Sequence, residues 1–155
     1  PEIYNGATFL LCETQSTDTA SKEIVSEMLN LLNSKEVWID RIQHDQIISI
    51  TSHLPHLIST ALVGVAKENY EIAEIMGMAA GGFDGATRLT RTNPEMIKDM
   101  YDTNSQNINL FLKHFIDELM DLMNLQDSDE LINYLNNSVE WRRALSEKFG
   151  ERPLS

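Results

Sequence analysis

Cysteine is nearly absent from the 155 residues: Cys12 stands alone, so no internal disulfide can form and a reducing cytoplasm suits the chain. Cys12 lies in the apolar run ATFLLCE, which favours a buried structural thiol over a nucleophile. Positive charge is scarce too, with 12 Lys+Arg against 24 Asp+Glu and a formal net charge of −12. Such a field repels nucleic acid and anionic membranes, and any anionic ligand must be gripped by a local cation. No apolar run approaches the roughly 20 residues of a membrane span, and no signal peptide is visible. Repeats, low-complexity segments and a charged C-terminal tail are also missing. The chain opens at Pro1 without an initiator Met, as a processed product or part of a longer chain would.

What is present is 42% hydrophobic residues, enough to fill a single core. Ala7 to Glu13 reads as a strand, Ala20 to Leu32 as a helix through Ile24, Met28, Leu31 and Leu32, and Glu36 to Ile39 as a second strand. A strand, helix, strand unit favours a parallel pair with a right-handed crossover. Two parallel strands do not make an independent sheet, so residues 1–40 read as the tail of a larger α/β domain. Residues 41–155 carry no further strand pattern and read as an all-helical domain. The fold expected is therefore mainly α, preceded by a short strand-helix-strand remnant.

Within that helical part, Tyr70 to Ala80 reads as a short helix closed by Gly81-Gly82, and Gly81 to Arg91 as a loop. Asn93-Pro94-Glu95 is a helix start, with Asn as N-cap, Pro at the first position and an acid at the positive dipole end. Asn104 to Leu125 is amphipathic, and Asp127 with Glu130 forms a capping-box pattern opening a last helix from Leu131 to about Phe149. The apolar faces of Asn104 to Leu125 and Leu131 to Leu145 exceed what one short central helix can cover. A symmetric homodimer built on them is expected.

The stretch His44 to Val65, HDQIISITSHLPHLISTALVGV, organises the rest. On an α-helix Asp45, Ser49, Ser52 and His56 form one polar stripe, which must meet water, a polar partner or a ligand. Pro55 removes the amide that would bond the Thr51 carbonyl, so a kink or a junction of two helices is expected there. His53 and His56, with His44 or Asp45, offer a conceivable zinc set, but no cysteine assists and Pro55 disturbs the spacing; no metal site is assigned. His53 reads as a satisfied core or interface histidine, while for His56 a pocket role and a structural one weigh equally. GGFDG lacks the spacing of a nucleotide fingerprint. Spacing favours a pairing of Arg88 with Asp84 or Asp99 over a bidentate grip on a ligand carboxylate. Met76, Met78, Met96 and the Phe111/Phe115 stripe read as core.

Taken in order, His44-Asp45, Ser52-His53-Leu54-Pro55-His56, Gly81-Gly82-Phe83, Thr87-Arg88, Asn93-Pro94-Glu95-Met96 and Asn104 resemble the C-terminal half of prephenate dehydrogenases of the TyrA family. The resemblance runs from about Tyr4 to the last helix. It implies an enzyme of tyrosine biosynthesis, an oxidoreductase that converts prephenate to 4-hydroxyphenylpyruvate and carbon dioxide with NAD or NADP. By matched position Arg88 would bind a substrate carboxylate and His56 would line the pocket for substrate, or for tyrosine as feedback inhibitor. Ser52 and Asp45 would support that pocket. The resemblance further implies a homodimer through the helical domain. The glycine-rich phosphate loop and the catalytic histidine belong to the upstream half of the family, so no catalytic or cofactor-binding residue is assigned within this chain, which alone should not turn over prephenate.

Two departures from the family pattern bear on the pocket's gate and on the choice between prephenate and arogenate. Asp84-Gly85-Ala86 precedes Thr87-Arg88, with the acid one place upstream of its usual position, and Ile97 stands where the family commonly has Trp. Two other readings stand beside the enzyme: a non-catalytic helical dimer sensing an aromatic amino acid, and a helical metal protein using His53 and His56.

Overall fold

The computed structural model describes residues 2–125 and 127–145, which divide at Thr51/Ser52 into two compact units. In the first, β1 (Thr8–Leu11) and β2 (Lys35–Trp38) pair in parallel with Thr8 opposite Lys35, and α1 (Thr19–Leu31) connects them. Asp18 starts α1 by accepting from the Ser21 amide at 2.7 Å, and its hydrogen bonds with Ser21 hold its carboxyl below the usual pKa. Asn33, at φ 53°, takes the left-handed conformation that closes α1, and Ser34 N–H then bonds the Leu29 carbonyl at 2.9 Å. Leu29 is buried, whereas Leu10, Val37 and Trp38 stay exposed on the small sheet. Cys12 is only half-buried, short of the fully buried thiol expected.

The helix after β2 runs from Arg41 to Asn69 in three parts: α2 (Arg41–Ile48), a π-helical stretch at Ser49–His53, and α3 (Leu54–Asn69). Asp40 caps α2 by accepting from the amides of Ile42 and Gln43. The junction expected at Pro55 is present as the π stretch directly before it, where wider turns accommodate the missing amide. With its 29 residues this helix is long and apolar enough to cross a membrane, which corrects the view that nothing here approaches a span. Its apolar residues are interleaved with Ser, Thr and His, so no run is unbroken although the average is apolar. α3 contacts α5 (Gly81–Thr87), a 3-10 turn at Arg88–Arg91 and α6 (Pro94–Asn124), and 17% of the helix's most apolar window is buried.

Several sequence expectations for the second unit are corrected. α4 (Ile72–Met78) ends on extended Ala79, and Gly81-Gly82 opens α5 instead of closing α4. The amides of Phe83 and Asp84 both bond the Ala80 carbonyl, so the expected loop is a helix followed by a 3-10 turn. Met76, Met78 and Met96 are exposed, Met78 at 86%, because α4 and the start of α6 turn these side chains outward; Phe111 and Phe115 are half-buried. The two helical pieces read at Asn93 and Asn104 are one helix, α6, with a kink at Asn104 (φ −135°, ψ 27°). Asn93 caps it by accepting from Glu95 N–H at 3.0 Å.

α7 (Ser128–Ala144) is capped by Asp127, which accepts from Asp129 N–H at 2.8 Å. The continuation expected to Phe149 lies outside the described residues. Tyr134 of α7 donates to Glu118 of α6 at 2.6 Å, and that bond raises the phenol pKa. Leu54 and Ile108 are the buried apolar residues of this unit among those described.

Ile108, 1% exposed on α6, has little room to be replaced. Ile108→Ala is expected to destabilise the protein by about 2–5 kcal/mol, from lost burial plus an unfilled cavity. Urea unfolding at fixed protein concentration checks it; a change within 0.5 kcal/mol of zero, as about the limit for surface sites, would refute the assignment.

Candidate functional site

The site is built outward from α3. His56 and Ser59 are three apart and share one helical face. Ser59 Oγ donates to the Ala86 carbonyl at 2.7 Å, and His56 Nδ1 lies 3.3 Å from the Leu89 carbonyl. A carbonyl oxygen only accepts, so a hydrogen bond at this contact requires the proton on Nδ1. Thr87 Oγ1 donates to the Phe83 carbonyl and Thr90 Oγ1 to the Thr87 carbonyl, each at 2.7 Å. The backbone on both sides of Arg88 is thereby tied down.

Arg88 itself is exposed, and among the described residues it forms no hydrogen bond or ion pair. The pairing with Asp84 or Asp99 favoured by spacing is not formed. Arg91 lies three residues on in the same 3-10 turn, where positions three apart eclipse, so two cations sit on one short segment. These two cations stand together in a chain of net charge −12.

The remaining predicted residues are placed differently. Ser52 is half-buried in the π stretch before α3. Asp45 accepts from His44 Nδ1 at 3.0 Å and belongs to the first unit. Ser49, the other member of the expected stripe, is buried and donates to the Gln46 carbonyl at 2.7 Å. The π stretch at Ser49–His53 interrupts the α-helical period between Asp45 and His56. His53 faces Asn104 at the α6 kink, with 3.5 Å between Nδ1 and Nδ2. His53 and His56 thus engage different partners, and among the described residues no three His, Cys, Asp or Glu side chains converge as metal ligands. Ser59 was missed by sequence reasoning. It continues the spacing 45, 49, 52, 56 by one more step of three, which was the available signal.

A separate cavity of about 500 Å³ opens at α4 and α5, lined by Tyr70, Glu74, Ile75, Met78, Ala79, Ala80 and Phe83. It includes neither His56 nor Arg88.

Residues 40–137 match the family described as prephenate dehydrogenase, dimerization domain. The chain is 31% identical over 136 residues to a cyclohexadienyl dehydrogenase of Zymomonas mobilis subsp. mobilis, covering 84% of this chain and 44% of that protein. It is 26% identical over 150 residues to a prephenate dehydrogenase of Bacillus subtilis, covering 92% of this chain and 40% of that protein. It thus spans less than half the length of these relatives. Among solved structures, prephenate dehydrogenase from A. aeolicus in complex with hydroxyphenyl propionate and NAD+ superposes with a TM-score of 0.85 at 24% identity, over 92% of this chain and 51% of that one. Synechocystis arogenate dehydrogenase superposes with a TM-score of 0.81 at 25% identity, over 91% and 53%.

The geometry at Leu89 fixes a tautomer that can be read directly. Long-range proton–nitrogen correlation spectra at neutral pH are expected to show His56 protonated at Nδ1, as the bond to the Leu89 carbonyl requires. An Nε2–H pattern would mean that this bond is not made.

Proposed function

Because the chain belongs to the prephenate dehydrogenase dimerization-domain family, we propose that it is the C-terminal part of an NAD- or NADP-dependent prephenate dehydrogenase of tyrosine biosynthesis. The complete protein would oxidise prephenate, release its ring carboxylate as carbon dioxide and yield 4-hydroxyphenylpyruvate. The observation that carries this reading is Arg88: an exposed guanidinium without an acid partner, on a segment whose flanking carbonyls are held by Ser59 and His56. A guanidinium so presented matches a carboxylate bidentately, and prephenate is a dicarboxylate.

In this proposal Arg88 binds a substrate carboxylate and His56 offers Nε2 to a substrate donor. Ser52 adds a hydroxyl one turn earlier. Asp45 enters through the resemblance alone. Tyrosine, with its own carboxylate, is the proposed feedback ligand of the same pocket. The residues here do not fit a dinucleotide: the β1 to α1 connection, residues 12–18, has no glycine that would let backbone approach a pyrophosphate. NAD or NADP is therefore assigned to the remainder of the protein. The two-stranded parallel sheet, with its exposed Leu10 and Val37, supports reading residues 1–40 as the tail of the dinucleotide-binding domain and residues 41–155 as the dimerisation and substrate-binding domain. A cytoplasmic location accords with the single cysteine.

Arogenate is the second reading, favoured by the similarity to the Synechocystis arogenate dehydrogenase. Arogenate keeps the ring carboxylate and carries an amino acid side chain, so Arg88 would serve either substrate. Assay of both with the complete protein separates them.

Two outcomes test the proposal. In the complete protein, Arg88→Ala is expected to raise KM for prephenate about 10- to 100-fold, the worth of a charged hydrogen bond, and Arg88→Lys to recover only part of it. An unchanged KM would remove Arg88 from the site. The second concerns assembly. Ile116, Leu119 and Met123 on α6 and Ile132, Leu135, Val139 and Trp141 on α7 are exposed, Trp141 at 72%, a surface suited to an isologous partner. Light scattering is expected to give a dimer at micromolar concentration; a monomer would overturn the homodimer.

A further inference from the structure

We propose that Ser59 is a positioning residue for Arg88, setting the segment from which the guanidinium reaches its carboxylate; the inference rests on the reading of Arg88 given above. Ser59 is 1% exposed, and its hydroxyl donates across to the Ala86 carbonyl at 2.7 Å, a bond between residues 27 positions apart. The usual partner of a hydroxyl inside a helix is the carbonyl four residues back. Thr51, Thr60 and Thr103 behave that way, bonding Ile47, His56 and Asp99. Ser59 instead bonds a different helix.

Its target has a specific need. Ala86 lies in the last turn of α5, where carbonyls have no intrahelical partner. Arg88 follows two residues later, and the next carbonyl after it, that of Leu89, takes the His56 ring at 3.3 Å. The guanidinium therefore springs from a short arc held at one end by Ser59 and at the other by His56. Both anchors stand on the same face of α3. Among the described residues no buried side-chain polar atom lacks a partner, the Ser59 hydroxyl included. Removing the Ser59 hydroxyl frees one end of the arc without touching substrate.

The test is a double-mutant cycle in the complete protein, read as KM against kcat for prephenate. Ser59→Ala is expected to raise KM about three- to tenfold, the range of a neutral hydrogen bond, with kcat within about twofold. In the Arg88→Ala background the same change should add nothing, because the residue it positions is gone. Ser59→Cys, close in size and a weak donor, gives the same reading should alanine prevent folding. An equal rise in both backgrounds would show that Ser59 acts independently of Arg88, and no rise in the wild-type background would show that the bond does not matter; either overturns the proposal. If Arg88→Ala itself leaves KM unchanged, the carboxylate grip falls as well, and that outcome is distinct from failure of Ser59 alone.

Discussion

A proline that cannot donate determines the phase of the central helix. Pro55 has no amide for the Thr51 carbonyl, and its ring crowds the preceding turn. The chain answers with a π stretch at Ser49–His53 instead of ending the helix, so the backbone remains helical from Arg41 to Asn69. A π turn takes more residues than an α turn, and side chains before and after it no longer share the faces that a 3.6-residue period assigns. Ser49 points to the carbonyl of Gln46, while His56 and Ser59, both beyond the π stretch, keep a common face. The grip on the Arg88 segment follows from that second phase.

Electrostatics explains why the segment needs a grip. In a chain with twice as many acids as bases, an arginine would ordinarily find a carboxylate on its own surface. The described ion pairs of Lys side chains, Lys22 with Glu13 and Lys98 with Asp102, are of that kind. Among the described residues no arginine forms an ion pair, and Arg88 shares that state although Asp84 stands four residues before it. Exposed pairs contribute little to stability in any case, so leaving Arg88 unpaired costs the fold little.

Much of this was legible in the residues, and the failures have physical causes. The strands, their parallel pairing, the Asn93 cap and the junction near Pro55 were readable because each depends on local chemistry or a short period. Gly81-Gly82 was misread as a helix stop because glycine is permissive: with ordinary φ it also enters a first helical turn, and only the carbonyl of Ala80, accepting from Phe83 and Asp84, decides which. The stripe through Asp45 and His56 was drawn on an α-helical period, and a π stretch at Ser49–His53 interrupts that period. Arg88 and His56 drew notice through their ordered motif, whereas the bond of Ser59 could be weighed only once α5 was known to lie beside α3, a contact between segments far apart in sequence.

The exposed apolar residues belong to the same logic. Leu54 and Ile108 alone are buried apolar residues in the second unit's described part, yet α6 and α7 present Leu119, Met120, Met123, Ile132 and Leu135 to solvent. Burial of apolar area is the main favourable term in folding, at about 25 cal/mol per Å². A helical layer that leaves its amphipathic faces open forgoes that part of the burial term within the described residues. The small parallel sheet does likewise, since parallel pairs persist where both faces are covered. A chain built in this way has a site whose anchors are internal, the bonds from Ser59 and His56, and a scaffold whose remaining surfaces call for further protein. The arc around Arg88 is already formed within the second unit, from the bonds of Ser59 and His56.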